Sequence, residues 1–175
     1  MMILCAANGM TQSPEDGKVT GDSYTNSFFK FSYSWPKILQ PYDTSALQLP
    51  PNSAYANEFL LFSARQGDAA FGVVVVAERM SPTPHNRGFR DGADFLDRIV
   101  SSFKPEEHAR FQPRKHFTNP HGITFDEADY TDDSGINSAM VTQVEGFIIL
   151  FKSNARSAAD LAEMTKSISE LRPAK

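Results

Sequence analysis

Apolar and polar positions along this chain fall into blocks with two distinct periods. Residues 71–77, FGVVVVA, form the longest strongly apolar run, and their four successive valines are stiff at χ1 and suit a pleated surface. A run that alternates with nothing polar predicts a strand at the centre of a sheet, covered on both faces. Residues 58–64, EFLLFSA, precede it across Arg65-Gln66-Gly67-Asp68, whose Gly and Asp supply the positive φ that a hairpin turn requires. The predicted centre of the sheet is therefore antiparallel. Upstream, Phe29, Phe31, Tyr33 and Trp35 alternate with Lys30, Ser32 and Ser34, the period-two signature of a strand with one aromatic and one polar face. Pro36 cannot donate to a ladder and ends it.

A helical period appears at residues 91–103, where Asp91 is the cap and Phe95, Leu96, Ile99, Val100 and Phe103 make one stripe. Residues 110–117 and 123–130 read as strands joined by the turn Asn119-Pro120-His121-Gly122. Residues 138–144 and 147–153 flank Glu145-Gly146, a two-residue hairpin loop that pairs Val144 with Phe147, Thr142 with Ile149 and Met140 with Phe151. Ser157-Ala158-Ala159-Asp160 resembles a capping box for a last helix carrying Leu161, Met164, Ile168 and Leu171, with Pro173 beyond its end. Strands, helix, strands and helix in that order predict an α+β fold: a mostly antiparallel β-sheet with helices packed over it.

The length of 175 residues and an apolar fraction of 41% fit a single domain, placed at residues 22–175. Residues 1–21 read as a disordered tail or the remnant of a signal peptide. Residues 1–7, MMILCAA, are apolar but lack a basic flank, and they are far short of the roughly 20 residues a membrane span needs. No transmembrane segment is expected, and export to a periplasm or beyond stands beside a cytoplasmic alternative. A net charge of −4 without a basic stripe argues against nucleic acid as partner. The single cysteine, Cys5, excludes an intramolecular disulfide and lies in the expected tail.

The segment Tyr24-Thr25-Asn26, then Phe28-Phe29-Lys30-Phe31-Ser32-Tyr33 and Pro36, resembles the Y-x-N-x-x-F-x-F-x-Y-x-P entry of uncharacterised exported bacterial domains related to the PsbP and Mog families. The close of the chain, a Gly-centred hairpin, Phe151-Lys152-Ser153, a Ser-capped helix and Ser-x-Ser-x-Leu, is similar as well. The resemblance spans most of residues 22–172 and implies an α/β/α sandwich. It also implies an accessory, mainly non-enzymatic role: PsbP assists the photosynthetic oxygen-evolving complex, and Mog binds the small GTPase Ran. Trp35 stands before Pro36, where the pattern has a Trp shortly after the proline.

Motifs for phosphate cradling, zinc proteases, nucleophile elbows and dithiol redox sites are all absent, and the sequence calls for no cofactor. The best metal constellation is His116 and His121 bracketing the Asn119-Pro120 turn, with Asp126, Glu127 and Asp129 on the following strand. Pairing through the turn would bring imidazoles and carboxylates together, a mixed N/O set suited to zinc or another divalent ion. The spacing matches no recognised site, and Glu127 and Asp129 share a strand face of the kind that most often marks a solvated end. For partner binding the candidates are Tyr24, Tyr33 and Trp35 with Tyr42 and Tyr55 of the proline-bearing loop 36–57, because aromatics with polar handles make good anchors. Two classes stay open: a non-catalytic exported accessory or binding module for a protein or small ligand, and a metal-binding protein or metal-dependent hydrolase using the His116/His121 region.

Overall fold

The computed structural model describes residues 13–44, 57–67, 70–82 and 87–174. Twelve strands and two α-helices lie among them. The chain opens with β1 (Gly17–Thr20), β2 (Ser23–Asn26), β3 (Phe31–Ser34) and β4 (Gln40–Pro41), followed by β5 (Glu58–Arg65) and β6 (Gly72–Arg79). Helix α1 (Gly92–Ser102) comes next, then β7 (Arg110–Phe111), β8 (Lys115–Thr118), β9 (Thr124–Asp132), β10 (Gly135–Val144) and β11 (Phe147–Ala155). Helix α2 (Ala158–Ser169) and β12 (Arg172–Pro173) close it.

The larger sheet has the order β4-β5-β6-β11-β10-β9-β7, with β8 also paired to β9, and every pairing in it is antiparallel. The valine strand β6 lies inside it, between β5 and β11. Its two faces differ, because Val73, Val75 and Ala77 are buried while Val74 and Val76 are half-buried. Helix α1 explains the difference. Phe95 and Leu96 pack it over Ala128, Ala139, Val141 and Ile148, on the β9–β10–β11 part of the sheet, leaving that face of β6 less covered.

The other face carries the main core. Phe62, Val75, Phe151 and Ile149 meet Leu161, Met164 and Ile168 of α2 and the aromatic residues of a second sheet, ordered β1-β2-β3-β12. The period-two segment supplies β3, the second strand of a hairpin, with Phe29 and Lys30 in the turn: β2 and β3 pair Tyr24 with Tyr33 across a turn that ends at Lys30 with φ 53°. Tyr24 stacks on Phe62 at 5.2 Å and Trp35 stacks on the same ring at 4.8 Å, which locks the small sheet onto the large one.

Two expectations need correction. Residues 110–117 are two short strands, since Pro113 interrupts them; β7 pairs with the end of β9 and β8 with its start. Residues 17–20, expected within a tail, form β1, which pairs with β2 from Gly17↔Asn26 to Thr20↔Ser23. Asn26 ties the chain down further by donating to the carbonyl of Pro14 at 2.8 Å. Gly17 is required there: a Cβ would fall 2.0 Å from the Tyr24 hydroxyl oxygen.

Candidate functional site

A cleft of about 500 Å³ opens where the β9–β10 ladder ends. The ladder runs from Gly135↔Asp132 to Val141↔Asp126 and stops. Beyond it β9 stays with β8, through Phe117↔Phe125 and Thr118↔Thr124, while β10 continues with β11 to Val144↔Phe147. The strands part, and Thr142–Val144 and Ile123–Thr124 become the two walls. Phe29, Phe31, Val141 and Leu171 are the buried core behind it, Ile123, Val144 and Pro173 are the apolar residues it leaves partly exposed, and the start of α1 closes one side with Asp91 and Gly92.

Local sequence chemistry holds each wall. Asn119 is buried, its Oδ1 accepts from the backbone N–H of His121 and of Ile123 at 2.9 Å each, and its Nδ2 donates to the carbonyl of Leu171 at 2.9 Å. The β8–β9 turn is thereby fixed to the chain that leaves α2. Glu145 and Gly146, with φ of 47° and 85°, make the tight turn that ends β10. Asp91 caps α1 by accepting from the Asp94 N–H at 2.8 Å.

The ionisable side chains of the cleft already have partners. His116 Nδ1 and Asp126 Oδ1 are 2.8 Å apart, and Lys30 Nζ lies 2.9 Å from Glu145 Oε1. Asp126 also sits against the first residue of α1, where a Cβ on Gly92 would come within 2.6 Å of Asp126 Oδ2. Walls that mix apolar residues with internally satisfied polar groups are what a binding pocket of this size offers.

The proposed metal set does not assemble. In the β8–β9 register His116 faces Asp126 and Lys115 faces Glu127, so alternation puts His116 and Glu127 on opposite faces. Lys115 is what Glu127 and Asp129 meet, at 3.3 Å and 2.6 Å. Burial first, and then the charge of Asp129, holds Glu127 above the ordinary carboxylate range. His121 is exposed on the turn. Among the described residues, no group of three or more His, Cys, Asp or Glu is placed to hold a metal ion.

The proposed partner-binding aromatics also divide. Tyr24, Tyr33 and Trp35 are 1%, 0% and 6% exposed, so they are core and cannot present a surface. Burial pushes the Tyr24 hydroxyl up to about 12 and raises that of Tyr33 as well. Tyr42 is exposed, under the Arg65 guanidinium at 3.9 Å, next to the edge strand β4 at the other side of the sheet from the cleft. Tyr55 lies outside the described residues. Gln143 and Thr124, which frame the cleft, carry no sequence signal of their own; only the offset between the β8–β9 and β10–β11 turns could have pointed to them.

The fold is PsbP-like. The chain is similar to the solution structure of cyanobacterial PsbP (CyanoP) from Synechocystis sp. PCC 6803, with a TM-score of 0.58 and 14% identity over 97% of this chain and 96% of that one. No family model matches the chain, and no curated protein does. Among the described residues, no helix is long and apolar enough to cross a membrane.

Proposed function

We propose that this chain is a non-catalytic, exported accessory module that holds its partner in the cleft at the end of the β9–β10 ladder. The observation that carries this reading is a pre-formed cleft of about 500 Å³ with mixed apolar and polar lining, whose ionisable side chains are already hydrogen-bonded. Binding there needs no ion to be stripped of its partner. The PsbP-like fold supports an accessory role. A metal-dependent hydrolase is disfavoured, because its expected ligands His116 and Glu127 stand on opposite faces of a sheet.

Site-specific photo-crosslinking in the native host tests the proposal. A photoreactive residue at position 143 is expected to give a discrete adduct, and one at position 42 none. Adducts from position 42 alone would place the interaction at the opposite edge and contradict it.

A further inference from the structure

We propose that the cleft takes an extended, uncharged peptide segment, bound by its main chain between Gln143 of β10 and Thr124 of β9. The inference rests on the binding-module reading and names the chemistry of the occupant.

The register supplies the argument. Val144↔Phe147 closes a two-residue hairpin, and such a closing pair exchanges both backbone hydrogen bonds. Alternation then turns the N–H and C=O of Val144 and Thr142 toward β11, and those of Gln143 and Val141 toward β9. Val141 finds Asp126 there. Continuing the same register by two residues would bring Gln143 to Thr124, but the ladder has already ended. On β9 the same alternation directs Phe125 toward β8 and Thr124 back across the gap, consistent with the Asn119 N–H donating to the carbonyl of Ile123. The cleft is thus a split ladder whose two walls present main-chain donors and acceptors to each other across an open space.

A chain carrying the same groups answers both walls, as when an extended peptide adds to a sheet edge. The span from Val141 to Val144 admits about three residues at roughly 3.4 Å each. The side chains favour the same occupant: His116 is hydrogen-bonded with Asp126, Lys30 with Glu145, and Asp91 is engaged in capping α1. An uncharged main chain leaves these pairs intact. Its apolar side chains can rest on Ile123, Val144 and Pro173, the lining residues that keep apolar surface exposed.

The test uses the full chain, ¹⁵N-labelled, titrated with a library of N-acetylated hexapeptide amides alternating Thr with Val, Leu or Phe. Members of the library are expected to shift the Gln143 and Thr124 amide resonances saturably. N-methylation of the pairing residue in the best member should weaken binding at least tenfold. Gln143→Pro should do the same with the melting temperature nearly kept, because that N–H serves no bond to β11. The proposal is overturned if no member shifts these amides, if the shifts fall at Tyr42 and Arg65, or if N-methylation changes nothing. Octanoate and indole, titrated in parallel, separate the two levels of the account. Saturable cleft shifts from these probes without any from the peptides would overturn the peptide proposal and leave the binding-module reading standing; cleft shifts from neither would count against both.

Discussion

Glu58 and Glu78 stand directly opposite one another on β5 and β6, and Arg98 of α1 donates to Glu78, with one guanidinium nitrogen 3.0 Å from each carboxylate oxygen. Burial first, then the charge of Glu78, pushes Glu58 from 4.5 up to about 7, with Arg98 opposing. The folded chain therefore keeps a proton that the unfolded chain releases, so stability falls as pH rises from about 4.5 to about 7 and levels off above that. Melting temperatures across pH 5 to 8 should show the decline, and Glu58→Gln should flatten it and melt higher than the parent at pH 8. An identical slope in the variant would assign the effect elsewhere.

The hydroxyl of Tyr24 accepts from Asn26 Nδ2 at 2.9 Å, the Pro14 carbonyl takes the other amide proton, and the Phe29 N–H donates to Asn26 Oδ1 at 2.9 Å. Asn26→Ala breaks all three bonds inside the core, at a cost of about 1–3 kcal/mol for each buried group left unpaired. Denaturant unfolding should show a lower midpoint at unchanged slope. Removing residues 1–21 strips β1 and the Pro14 acceptor and should lower the melting temperature too; an unchanged value would mean that β1 contributes nothing to stability.

Val75 is fully buried between Phe62 of β5 and Phe151 of β11. Val75→Asp places an unpaired carboxylate there and should cost several kcal/mol, on the order of the whole folding margin of a small domain. Val74→Asp, on the half-buried face, should cost much less. Circular dichroism melts of the two variants make the comparison, and equal losses would contradict the one-sided burial of β6.

Zinc should not stabilise the fold, since His116 and Glu127 face opposite sides and Lys115 occupies the carboxylates. Melting temperature with and without equimolar zinc is expected to agree within experimental scatter. His116→Ala should also be nearly silent in stability, because exposed ion pairs contribute about 0–1 kcal/mol. A saturable rise in melting temperature that His116→Ala and Glu127→Gln both abolish would restore the metal alternative.

Period and turn chemistry made much of the large sheet legible. The valine run located β6, Glu145-Gly146 set the β10–β11 register correctly, and Asp91 and Ser157 cap the helices they were expected to cap. Residues 17–20 were not legible, because a short, fully exposed edge strand has no hydrophobic period. Tyr24, Tyr33 and Trp35 look like binding groups in the sequence because of their polar handles, and it is the packing of a second sheet that buries them. The cleft was harder still. It exists because the β8–β9 and β10–β11 hairpins diverge, a relation between two registers that no single segment encodes.

The most direct measurement of the central claim is amide hydrogen exchange of the chain alone and of the chain co-purified with its crosslinking-identified partner. Partner binding is expected to slow exchange at Gln143 and Thr124 at least tenfold while Tyr42 and Arg65 keep their free rates. Protection appearing at Tyr42 and Arg65 with Gln143 unchanged would contradict it.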